Sequence, residues 1–68
     1  MRKNIEAERG RLLLTKEAIS KRLNISTKTY NAYISGKAIP SDVLLAMADI
    51  FGCSTDYLLS VGDAAKNA

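Results

Sequence analysis

Between Thr15 and Tyr33 the apolar positions follow two short helical registers. Ala18, Ile19, Arg22 and Leu23 recur at the spacing of one helix face, while Glu17, Lys21 and Arg22 can keep the other side or its edges wet. A few residues later Tyr30, Tyr33 and Ile34 repeat that spacing, and Ser26 stands just ahead of them. A serine there is an N-cap, its hydroxyl accepting an otherwise orphaned backbone amide, so the second helix is predicted to begin near Thr27. The two registers are separated by Asn24-Ile25. Leaving a helix so abruptly calls for a residue with positive φ, which Asn tolerates better than any residue but Gly. Ile25 then fills the corner.

A bundle hairpin seldom combines a capped second helix, a bulky apolar corner and a fully polar leading turn (Thr27, Lys28, Thr29) in so short a window. The pair therefore reads as a helix-turn-helix. Helical spacing also runs from about Lys3 to Leu13, with Ile5, Ala7 or Glu8, Arg9 and Leu12 along one side and the cluster Leu12-Leu13-Leu14 closing the element. Thr15 caps the next helix, with Glu17 in its dipole-favoured first turn. Beyond Tyr33, Gly36 supplies a helix stop and Pro40 bars continuation. Ser41 is the expected cap of a fourth helix over Asp42 to Phe51, apolar on nearly every side and hence expected to be central and buried. Gly52 ends it, and Ser54 opens a short fifth helix through Tyr57, Leu58 and Leu59. The expected fold is all-α: a compact five-helix domain over residues 1–61 with a tail at 62–68.

Composition narrows the chemistry. With 68 residues, no His and one Cys, the chain has room for one small core and lacks the parts for metal hydrolysis or a nucleophilic triad, so no enzyme and no cofactor are expected. Cys53, between apolar neighbours, reads as a small buried hydrophobe. No apolar run approaches the roughly 20 residues of a membrane span, and no signal-type stretch follows the N-terminus, which points to a cytoplasmic protein. Charge is unevenly placed. Through Lys37 there are nine Lys/Arg against three Glu, a net +6; the remainder holds Lys66 against four Asp, a net −3. The basic half contains the helix-turn-helix, and phosphate is its natural partner.

Four blocks in order resemble the Cro/repressor-type helix-turn-helix family of phage repressors, small bacterial regulators and some antitoxins: Asn4 to Arg9, Leu14 to Leu23, Ser26 to Lys37 with its Ser35-Gly36-Lys37 ending, and Pro40-Ser41 leading through Leu44-Leu45-Ala46-Met47-Ala48 to Phe51–Leu59. The resemblance covers about Asn4 to Leu59. It implies a third helix, Thr27 to Ile34, lying in the major groove of double-stranded DNA while the second crosses the backbone. Carried over by position, Thr27, Lys28 and Ala32 would face base edges, with Asn31 close enough to join them. Lys28 could donate to guanine O6 and N7, Asn31 could pair with adenine N6 and N7, and Ala32 offers a methyl. Lys16, Ser26, Ser35 and Lys37 match positions that grip the phosphate backbone and set register. Ile34 stands where relatives commonly carry a Glu that pairs with the first-helix Arg, here Arg9. That Arg must find another acceptor, reach water or turn toward DNA.

The expected function is a sequence-specific DNA-binding transcriptional regulator, a repressor acting as a homodimer on a palindromic operator, with no small-molecule ligand. Tyr57, Leu58, Leu59 and Val61 are candidates for the dimer surface, with core packing an equal reading for Leu58. A protein-interaction module such as an antitoxin or adaptor is the alternative.

Overall fold

The structure, a computed structural model, describes residues 2–59, most of them in five helices: α1 Lys3–Arg11, α2 Lys16–Arg22, α3 Thr27–Ser35, α4 Ser41–Phe51 and α5 Thr55–Leu59. Val61, the expected domain limit at 61 and the tail at 62–68 lie outside the described residues. α1 packs on both α3 and α5, α2 on α3, and α4 on α5, so α1 joins the α2–α3 pair to the α4–α5 pair. The core between them holds Ile5, Ile19, Leu23, Tyr30, Tyr33, Ile34, Met47, Phe51, Tyr57 and Leu58. Among the described residues no helix is long and apolar enough to cross a membrane.

The helix starts are capped where the hydroxyls fall. Thr15 Oγ1 accepts from the Ala18 amide at 3.0 Å, Ser26 Oγ from Thr29 at 3.0 Å and Ser54 Oγ from Tyr57 at 3.1 Å. Ser41 does not cap: it is the first residue of α4, and Pro40 holds the cap position with no side-chain bond.

The four long helices end alike. Just past each last turn stands a residue with positive φ, Leu13 (φ 58), Asn24 (φ 59), Gly36 (φ 122) or Gly52 (φ 67), and its own amide and the one after it donate back to helix carbonyls. At Asn24 the bonds are Asn24 N–H to Lys21 O at 3.1 Å and Ile25 N–H to Ser20 O at 3.0 Å, the paired closure that a left-handed residue permits. The expected positive φ at Asn24 is thus observed. Leu13 is the surprise. α1 stops at Arg11, and Leu13 does not close an apolar cluster; it stands 91% exposed in the left-handed region, while Leu12 and Leu14 pack against the core. Left-handed backbone costs an L-residue about 1–2 kcal/mol, and a solvated side chain regains little of it. Leu13→Gly is therefore expected to stabilise the fold by about 0.5–1 kcal/mol after the extra entropy of Gly is subtracted, measured by urea unfolding. A destabilised Gly variant would mean that the Leu13 side chain covers apolar surface.

Two other expectations are corrected. α4 is not buried all round: only Met47 and Phe51 are fully buried, and Leu45 is 63% exposed. Asp42 and Asp49, three residues before Leu45 and four after, share that outer face, and both are exposed. Tyr57 is not free for a partner, and for Leu58 the core-packing reading is the one observed, because both are buried within the single chain, where α5 meets α1 and α4. Of the expected dimer residues that are described, only Leu59 is exposed, at 43%. Cys53 is half-buried against the core, its thiol 3.4 Å from Phe51 O.

Candidate nucleic-acid interface

α3 divides lengthwise by burial. Tyr30, Tyr33 and Ile34 face the core, while Lys28, Asn31 and Ser35 are exposed and Thr27 and Ala32 are half-buried at the edge. Thr27 and Asn31, like Lys28 and Ala32, are four residues apart, so these four side chains form one contiguous strip on the outer side. No described residue covers Lys28 with an ion pair, and none pairs with Lys16 or Lys37. Lys16 is the first residue of α2, exposed, and Lys37 is exposed immediately beyond Gly36. The structure thus sets one free cation at the start of the motif and another just past its end. Ser26 is also exposed, but its hydroxyl is occupied at the α3 cap, accepting from the Thr29 amide and donating to Thr29 Oγ1 at 3.0 Å. Any grip of Ser26 on phosphate must come on top of that capping.

The opposite sign is segregated. Residues 38–59 contain no Lys or Arg, and Asp42, Asp49 and Asp56 are all exposed there. A polyanion is drawn to the α2–α3 side and repelled from α4 and α5.

Behind the strip, a polar cluster links α3 to α1. Arg9 donates to Glu6 through both arms of its fork, Nε to Oε2 and Nη2 to Oε1, each at 3.0 Å, and Nη1 donates to Leu14 O at 2.7 Å. Tyr30 OH donates to the same Glu6 carboxylate at 2.7 Å. Arg9 therefore has its acceptor within α1, and of the three fates left open for it the first holds. The Arg9 hydrogen bond holds the Glu6 carboxyl below its ordinary value, although burial opposes this, and the Tyr30 bond adds to the lowering. Burial and that same bond push the Tyr30 phenol well above its ordinary value, so it stays a donor. A matching cluster sits two residues along α1. Arg11 Nε donates to the buried Glu8 at 2.6 Å, Arg11 Nη2 to Phe51 O at 2.9 Å, and Tyr57 OH to Glu8 at 3.2 Å. Neither tyrosine partner was expected from the sequence, although Glu6–Arg9 and Glu8–Arg11 both have the i,i+3 spacing of helical ion pairs.

A helix-turn-helix family model matches residues 5–58, from within α1 to within α5. Comparison with curated proteins and with solved structures gives no match. The matched span reaches into all five helices and includes the whole of α3 with its cap, the Asn24 turn, Lys16 and Lys37. The chain belongs to the Cro/repressor-type helix-turn-helix family and carries a DNA-binding domain of the regulator kind.

Proposed function

We propose that this protein is a sequence-specific transcriptional repressor that binds a palindromic operator as a homodimer, α3 lying in the major groove. The observation that carries this reading is the solvent-facing strip Thr27, Lys28, Asn31 and Ala32, set on a helix whose other side is locked into the core. In the proposal Lys28 and Asn31 read guanine and adenine edges, Thr27 and Ala32 complete the base-facing surface, and Lys16, Ser26, Ser35 and Lys37 hold phosphates on either side. A chain of this size neutralises few phosphates alone, and two copies on a two-fold site double the contacts. With Tyr57 and Leu58 committed to the core, Leu59 is the described residue left to begin the dimer contact.

Selection of bound duplexes from a random pool tests the reading and supplies the operator. Affinity for the selected duplex should fall steeply with salt as counterions are released. An adaptor or antitoxin that acts only on protein would bind no duplex at any salt.

Lys28 and Lys37 should then fail differently. Lys28→Ala is expected to lose about 1–3 kcal/mol on the selected duplex and less on a scrambled one, relaxing specificity at one base pair. Lys37→Ala should weaken both duplexes alike and lower the salt slope by about one. Equal losses on both duplexes for Lys28→Ala would remove Lys28 from base reading.

A further inference from the structure

The C-terminal end of a helix gathers partial negative charge on its last carbonyls, and a cation there is the usual complement. α3 has no basic residue in its last turn. Arg2 supplies the charge from the other end of the domain. Its backbone N–H donates to Ile34 O at 2.9 Å, and its Nη1 donates to Tyr33 O at 2.6 Å and to Lys37 O at 2.5 Å. The last two acceptors lie on opposite sides of Gly36, whose φ of 122 turns the chain out of the helix. The same turn is closed by Gly36 N–H to Tyr33 O at 3.1 Å and Lys37 N–H to Ala32 O at 3.0 Å. A single guanidinium nitrogen thus ties the α3 end to the backbone of Lys37.

We propose that Arg2 is a positioning residue for the DNA-reading surface: it touches no DNA, and it fixes where Lys37 leaves α3 relative to Lys28 and Asn31. This rests on the DNA-binding reading above. Phosphate contacts set the register in which a helix meets base edges, so the separation between Lys37 and the strip decides whether both are satisfied at once. Lys cannot replace Arg fully, because its flexible stem does not hold the ammonium between the two carbonyls as the rigid guanidinium plane holds Nη1.

The test uses the full chain with Arg2→Ala and Arg2→Lys, titrated against selected and scrambled duplexes at several salt concentrations, together with amide hydrogen exchange of the free proteins. Loss of two charge-assisted bonds should raise Kd on the selected duplex about tenfold in Arg2→Ala. The salt slope should not change, because no phosphate contact is removed. Exchange at the Gly36 and Lys37 amides should accelerate while the Leu23 and Leu58 amides keep their protection. Arg2→Lys should recover only part of the affinity. A slope lowered by about one would make Arg2 a phosphate contact and overturn the proposal, as would a wild-type Kd in Arg2→Ala. Loss of protection spread evenly over all four amides would reduce Arg2 to a general scaffold residue. Absence of duplex binding by the wild-type chain would overturn the DNA-binding reading and this role with it, whereas unchanged exchange at Gly36 and Lys37 would overturn the clamp alone.

Discussion

Glu8→Ala is expected to lower stability by about 3 kcal/mol in urea unfolding, a large share of the roughly 3–10 kcal/mol available to a chain of this length. Glu8 is 2% exposed and accepts from Arg11 and from the Tyr57 hydroxyl. The Arg11 side chain is about half exposed, so once the carboxylate is gone its charge turns to water and keeps Phe51 O. Tyr57 is buried where α5 meets α1, so loss of the carboxylate also removes a contact inside the core. The loss therefore combines the two hydrogen bonds to the buried carboxylate with the space the side chain leaves. The double variant Glu8→Ala/Tyr57→Phe should accordingly be more stable than the sum of the single losses, by about 1 kcal/mol of coupling. Strict additivity would show that the Glu8–Tyr57 contact contributes nothing of its own.

What the sequence made legible was local. Caps at Thr15, Ser26 and Ser54 and left-handed stops at Asn24, Gly36 and Gly52 all depend on a residue's own chemistry and its near neighbours, and the structure has them all. Leu13 carries no such signal, because nothing in a leucine favours positive φ; the turn is imposed from outside, where Arg9 holds Leu14 O and the chain must reach the Thr15 cap. Apolar content alone does not show that the fourth helix keeps one face in water. Position carried the missing information, since Asp42 and Asp49 bracket Leu45 at helical spacing and mark a wet face. Tyr57 and Leu58 looked like surplus because a core in so small a domain draws on every helix, the five-residue α5 included. The candidate site divides the same way. The strip from Thr27 to Ala32 follows from helix period, whereas Arg2, 31 and 35 residues from the carbonyls it holds, leaves no periodic signal at all.

Tyr30 offers the sharpest separation between holding α3 and the proposed reading of DNA, because it sits on α3 with its ring fully buried and its hydroxyl on Glu6. Tyr30→Ala is expected to cost about 4 kcal/mol through lost burial and the cavity left behind, enough to leave little folded protein. Tyr30→Phe keeps the ring and removes one hydrogen bond, for about 1 kcal/mol, while Arg9 continues to hold Glu6. The acid limb of stability distinguishes this bond from mere packing. Glu6 is held below its ordinary value in the folded chain, so its contribution is complete above the unfolded value and is lost as pH falls through the folded one. In Tyr30→Phe one of the bonds that lowers it is gone, the folded value moves back toward the ordinary one, and the pH-dependent part of the stability shrinks. Urea unfolding of wild type and Tyr30→Phe from neutral pH down to pH 3 should show the two curves converging in acid. Curves that stay parallel would mean that the Tyr30 hydroxyl contributes no charge-assisted bond to Glu6. Duplex affinity of Tyr30→Phe at neutral pH should match that of the wild type, since the strip proposed to face bases and the lysines proposed to hold phosphate are untouched.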